Sequence, residues 1–249
     1  MPNNATPVGP SALQPMGQAV TYTGMQDFVT PRVLETREIQ GIVAQFQHGA
    51  EMAKRGGFDG VEVHGANGYI IDQFLRDGSN HRTDAYGGSV QNRFRLLNEI
   101  LDAVCEVWPA HRVGVRLTPE NSFNSMSDSD PQAHFEYFFE QLSPRGLAYV
   151  HVLEGDMMSK ASTLDYHTLR SKFAGPYIAN NGYDLERAQT AVRNGAVDLV
   201  AFGIPFLANP DLVRRYRESL PLNEADQSTF YGGSEAGYTD YPFYNGEET

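Results

Sequence analysis

The segment HGANGY at 64–69 places a histidine, an asparagine three residues later and a tyrosine two further on within one short, glycine-containing stretch. An imidazole N–H and a carboxamide NH2 at that spacing can converge on a single oxygen, and a nearby phenol can deliver a proton. The same stretch also reads as a glycine-rich turn in which His64 and Asn67 satisfy their own backbone. Arg116, in VGVRLTP, is a charge near the end of an apolar run; it either pairs with an acid such as Glu62 or Glu154 or faces an anionic ligand. Farther along, NNGYD and AFG put Asn181, Gly182 and Gly203 just ahead of helix-starting residues, where backbone N–H groups can hold an anion.

The elements that must carry these residues are set by the hydrophobic periods. Residues 1–35 show no sustained period and read as an extended loop. From Thr36, taken as an N-cap, Ile39, Ile42, Val43, Phe46, Ala50 and Ala53 recur at helical spacing until Gly56-Gly57. Strand segments FDGVEV (58–63), RVGVRL (112–117), AYVHVL (148–153), PYIAN (176–180) and DLVAFG (198–203) then alternate with helices at 89–107, 130–142, 163–173 and 184–194, and with a last helix opened by Asn209-Pro210. The alternation over 36–220 predicts an α/β fold with a parallel sheet of five strands, because a parallel crossover needs a helix-length connection. The polar chemistry falls at the strand ends, which is where an α/β barrel builds its site. A doubly wound sheet also accommodates five strands. Residues 221–249 read as a C-terminal tail in which Tyr238 and Tyr241 dock.

Composition narrows the function class. The formal charge of −12 and the absence of a Lys/Arg cluster argue against nucleic acid and against an anionic membrane surface. The single cysteine, Cys105, lies in an apolar run and rules out an intrachain disulfide framework or multi-thiolate site. The start MPNNATPVGP lacks a basic region and an apolar region, and no apolar stretch approaches the ~20 residues of a membrane span, so a cytoplasmic protein is expected. No HExxH, GxGxxG after a strand, GxxxxGK[ST] or GxSxG motif occurs, so a metal site is not expected; His151, inside AYVHVL, reads as a packed or hydrogen-bonded histidine.

GFDGVEVHGANGYIIDQFLRDGSNHRTDAYGGSVQNRFRLLNEI (57–100) closely resembles the Old Yellow Enzyme family of FMN-dependent ene reductases, and the likeness continues through VGVRLTP, DSDP, LAYVHVLE, DLVAFG, ANPDL and YTDYP. The resemblance implies an eight-stranded (β/α) barrel, the TIM barrel, with FMN at its C-terminal mouth. NADPH, or NADH, would reduce the flavin, which reduces small-molecule activated alkenes: enones, maleimides and nitro compounds. It implies that His64 and Asn67 bind the substrate oxygen, that Tyr69 protonates the α-carbon, that Arg116 lies against the flavin pyrimidine edge, and that Asn181, Gly182 and Gly203 take the phosphate end.

Two departures from the family pattern stand out. The family usually carries an arginine after AFG, where it binds the FMN phosphate; here the residue is Ile204. The segment PNNATPVGPSAL (2–13) already resembles the family's segment just after its third barrel strand. The five strands are therefore expected to be the fourth to eighth of the barrel, and residues 1–249 a single, N-terminally truncated barrel domain. A partial barrel would expose sheet edges, for which a completing polypeptide or a homo-oligomer is the expected remedy. The alternative is a non-catalytic remnant or binding protein that no longer holds FMN.

Overall fold

The computed structural model describes residues 5–21, 23–159, 161–232 and 234–245; the first residues of the segment expected to lie after a third strand, 2–4, are outside these. The strands are β1 (Val8–Gly9), β2 (Gln18–Thr21), β3 (Gly24–Asp27), β4 (Arg32–Val33), β5 (Val61–Gly65), β6 (Val113–Leu117), β7 (Tyr149–Leu153), β8 (Tyr177–Asn180) and β9 (Leu199–Ala201). The helices are α1 (Thr36–Arg55), α2 (Ile70–Leu75), α3 (Val90–Val107), α4 (Pro131–Leu142), α5 (Tyr166–Ser171), α6 (Leu185–Arg193), α7 (Ile204–Ala208) and α8 (Leu212–Glu218). Strands β5 to β9 form one parallel sheet in sequence order.

The period-two alternation of the strands decides which face is dry. Val63, Val113, Val115, Leu117, Val150, Val152, Tyr177 and Ala179 are buried, and they join Leu97, Ile100, Leu101 and Val104 of α3 and Phe135, Phe138, Phe139 and Leu142 of α4 in one core. The alternate positions carry Glu62, His64, Arg116, His151 and Asn180 on the opposite face. Of these only His151 is buried, and Leu199, on the same face of β9, is 54% exposed. Among the described residues β5 and β9 are each paired on one side only.

Several local expectations need correction. The segment 1–35 is not a plain loop: β2 and β3 form an antiparallel hairpin and β1 pairs in parallel with β4. The hairpin is exposed on both faces, so it carries no hydrophobic alternation to read. The first parallel strand begins at Val61 rather than Phe58, where pairing with Val113 starts, and Phe58 is itself 68% exposed. The N-cap of α1 is Glu35, whose N–H donates to the Glu38 carboxylate at 2.8 Å, while Thr36 is the first helical residue. DLVAFG contributes only Leu199–Ala201, because α7 starts immediately after Gly203. The final helix begins at Leu212, and Asn209, fully buried, instead holds the Pro205 carbonyl and the Asn223 N–H.

Asp84 ties the N-terminal segment to the loop after α2. Its carboxylate accepts from Arg82 Nε at 3.0 Å, the Thr36 hydroxyl at 2.5 Å and the Tyr86 N–H at 3.0 Å, and Arg82 also donates to the Leu34 carbonyl at 2.6 Å. The Arg82 guanidinium holds the Asp84 carboxyl at about 2, against an ordinary 3.8. A folded-state pKa depressed in this way contributes stability that is complete above about pH 4 and lost as pH falls through the folded value. Thermal unfolding of the wild type and Asp84→Asn between pH 5 and pH 2 is therefore expected to show a gap in midpoint that closes toward pH 2. A gap of constant size would contradict the assignment.

Candidate active site at the ends of the parallel strands

His64 is the fourth residue of β5 and pairs in register with Arg116 of β6, which pairs in turn with His151 of β7. After β5 the chain turns through two residues of positive φ, Asn67 at 58° and Gly68 at 72°, and Tyr69 becomes the N-cap of α2. Asparagine and glycine are the residues that adopt this conformation most readily. At Gly68 a Cβ would also lie 2.7 Å from the Asn124 Cβ, so no larger residue fits the turn.

The turn is held from below by buried polar groups. Gly68 N–H donates to Asp72 Oδ2 at 2.9 Å, and Asn67 N–H donates to Thr118 Oγ1 at 3.0 Å. The Thr118 hydroxyl donates its own proton to Asp72 Oδ2, also at 3.0 Å. Arg76 Nε donates to Asp72 Oδ1 at 3.1 Å and its Nη2 donates to the Thr118 carbonyl; the side chains of both members of the pair are 1% exposed. The Asn67 carbonyl accepts from Asn124 Nδ2 at 2.9 Å. The backbone of the turn is thus satisfied by α2 and by the loop after β6, not by His64 and Asn67 themselves. Among the described residues the His64 ring, the Asn67 NH2 and the Tyr69 hydroxyl are left without a protein partner, and the His64 and Tyr69 ring centroids lie 5.5 Å apart. Tyr69 is 54% exposed.

Electrostatics set the protonation on this face. Burial, reinforced by the Arg116 charge, pushes the His64 pKa below its ordinary value, so the imidazole is neutral near pH 7 and offers one N–H and one lone pair. The pairing of Arg116 with Glu62 or Glu154 left open by the sequence is not the observed arrangement. Glu62 instead meets His151 Nδ1 at 2.9 Å, and Glu154 accepts the hydroxyls of Tyr177 and Tyr183 at 2.9 and 2.7 Å. Burial works to raise the Glu62 pKa, but the hydrogen bond and charge of His151 hold it below the ordinary value. Arg116 donates through Nη2 to Asn180 Oδ1 at 2.9 Å, and its Nε is buried with no partner among the described residues. His151 Nε2, on the same sheet face, is likewise buried without a partner among the described residues, so this face holds two polar atoms open to a ligand or water.

The third group lies at the ends of β8 and β9. Asn181 (φ 90°) and Gly182 (φ 68°) form the turn after β8, and Asn181 Nδ2 is anchored on the Glu154 carbonyl at 2.8 Å. Gly203 precedes α7, whose first residue, Ile204, is 53% exposed. These three residues follow the paired strands β8 and β9, while at the far edge of the sheet His64 lies on β5, with Asn67 and Tyr69 in the turn after it and Arg116 on the neighbouring strand. Sequence reasoning missed Arg187, whose Nη1 donates to the Gly182 carbonyl at 3.1 Å and places a charge at this turn. It also missed the Asp72–Arg76 pair, for which the i, i+4 spacing of opposite charges was an available signal. Elsewhere, Asp77, Asp128 and His134 bring possible ligand atoms within 4.8 Å of one another; Ser129 donates to both Asp77 oxygens and His134 meets Asp128 Oδ1 at 2.6 Å, while Asp128 Oδ2 is buried without a partner among the described residues. No helix among the described residues is long and apolar enough to cross a membrane.

The chain is 48% identical, over 88% of its length, to a protein described as a probable flavin mononucleotide-dependent alkene reductase of Leishmania infantum, and spans 60% of that relative. It is 44% identical to 12-oxophytodienoate reductase 1 of Oryza sativa subsp. japonica, spanning 66% of it. Among solved structures, morphinone reductase in complex with tetrahydroNAD superposes with a TM-score of 0.92 at 45% identity, covering 100% of this chain and 70% of that one. The old yellow enzyme homologue from Zymomonas mobilis gives 0.93 at 38% identity, covering 96% of this chain and 69% of that one. The α/β architecture is therefore that of the Old Yellow Enzyme barrel proteins. With a family profile matched over residues 1–223, the chain belongs to the NADH:flavin oxidoreductase / NADH oxidase family.

Proposed function

We propose that the protein works as an FMN-dependent, NAD(P)H-driven reductase of activated alkenes, its five parallel strands corresponding to the fourth to eighth of an eight-stranded barrel. The observation that carries this reading is Arg116, its Nε buried without a partner among the described residues, in register with His64 at the strand end that leads into Asn67 and the exposed Tyr69. The strand assignment is supported by the one-sided pairing of β5 and β9 and by the polar face between them.

The residues present fit the flavin. Arg116 would offer its Nε donor to the electron-rich edge of the ring system, and Asn181, Gly182 and Gly203 would offer a turn to the phosphate end, with the Arg187 guanidinium beside it. The exposed Ile204 supplies no cation there; loss of a charge-assisted contact costs about 1.5–3 kcal/mol, or about ten- to a hundredfold in affinity. FMN, when bound, would supply the redox chemistry: a hydride drawn from NAD(P)H for the alkene. The His64 N–H and the Asn67 NH2 hold the carbonyl or nitro oxygen of the substrate, and they donate more strongly as negative charge develops there. The Tyr69 hydroxyl, free of partners among the described residues, gives a proton to the carbon next to that carbonyl or nitro group.

The test is anaerobic turnover with FMN, NADPH and 2-cyclohexenone. NADPH oxidation is expected to depend on the enone and to yield the saturated ketone; oxidation that ignores the enone would refute the reading.

A further inference from the structure

We propose that Asn121 is a positioning residue that fixes the orientation of the Asn67 carboxamide, so that its NH2 and not its oxygen faces the ligand. This rests on the reading of Asn67 as a substrate-oxygen donor and adds the reason why the site selects an acceptor. A carboxamide can present either end, and which end is settled only by its neighbours. Here the settlement begins at a backbone group that can only donate. Met157 N–H points at Asn121 Oδ1 at 3.3 Å, which forces the other end of that carboxamide to be the donor. Asn121 Nδ2 then donates to Asn67 Oδ1 at 3.1 Å, which leaves the Asn67 NH2 facing away from Asn121.

Both carboxamides are placed firmly enough for this relay to hold. Asn121 is 1% exposed. The Asn67 backbone is pinned on both sides, by Thr118 Oγ1 at its N–H and by Asn124 Nδ2 at its carbonyl, so only the side-chain torsions remain to be fixed. The loop that supplies Asn121 is itself tied to the segment after β7, where Asp156 accepts the Ser122 N–H at 2.9 Å. The ligand class selected is one presenting a lone pair to this position, such as a carbonyl, nitro or carboxylate oxygen, in preference to a group that can only donate, such as an ammonium.

The decisive measurement needs no cofactor. In the wild-type protein, NMR of the side-chain amides is expected to show at least one Asn121 proton exchanging about a hundredfold more slowly than a free carboxamide, and the Asn67 protons exchanging freely on a rigid group. In Asn121→Leu, which removes donor and acceptor together, the Asn67 side-chain order parameter is expected to fall from roughly 0.8 to below about 0.6. In the FMN-loaded protein the same variant is expected to raise KM for 2-cyclohexenone about tenfold. Protected Asn67 amide protons in the wild type, or an Asn67 group equally rigid in the variant, would overturn the proposal even if the leucine variant folds poorly, since the first is read on the wild type. Failure to load FMN would count against the proposed function and leave the amide measurements to decide on Asn121.

Discussion

Asp72→Ala is expected to cost about 3–5 kcal/mol of folding stability, because it leaves the Arg76 guanidinium buried and uncompensated. Both side chains are 1% exposed, so water cannot take the place of the carboxylate without local opening. The loss extends beyond the ion pair: Gly68 N–H and the Thr118 hydroxyl each lose their acceptor. A second variant separates stability from site geometry. Asp72→Leu combined with Arg76→Met replaces the pair by apolar groups of similar size and is expected to recover most of the stability lost in Asp72→Leu alone. It restores no acceptor to Gly68 N–H, so the turn that carries Asn67 and Tyr69 is expected to stay loose. Urea unfolding of the three variants, with hydrogen exchange at Gly68, reads both effects. A single variant as stable as wild type would show that the pair does not hold this turn.

Tyr69→Phe is expected to slow alkene reduction by about a hundred- to ten-thousandfold, the range typical of losing a positioned general acid. Reduction of the flavin by NADPH needs no proton from this hydroxyl and is expected to change little. The separation rests on position: Tyr69 is 54% exposed, its hydroxyl has no partner among the described residues, and its ring lies 5.5 Å from that of His64. Stopped-flow measurement of the two half-reactions distinguishes this role from a structural one, which would slow both together.

The βα alternation was legible because most of its signals are local. Pro131 at the start of α4, the Asp184 cap of α6 and the apolar stripe of α3 each declare themselves within a few residues. Helix α2 escaped because six residues are too few for a period to stand out, although Ile71, Asp72, Phe74 and Leu75 are all buried there. The hairpin escaped for the opposite reason: with both faces exposed, its residues are under no burial constraint. At the site, the placement of His64 and Arg116 at strand ends was readable from the strand pattern. What holds them was not. The positive φ of Asn67, the relay through Asn121 and the choice of His151 over Arg116 as partner of Glu62 all arise from contacts between residues distant in the chain.

In the proposed function Arg116 links this sheet to the flavin, and FMN titration of the FMN-free protein, monitored by quenching of flavin fluorescence, tests that link most directly. Saturable binding of one FMN per chain is expected, weakened about ten- to a hundredfold in Arg116→Leu as a charge-assisted contact is lost. Absence of saturable binding, or equal affinity in the wild type and Arg116→Leu, would contradict it.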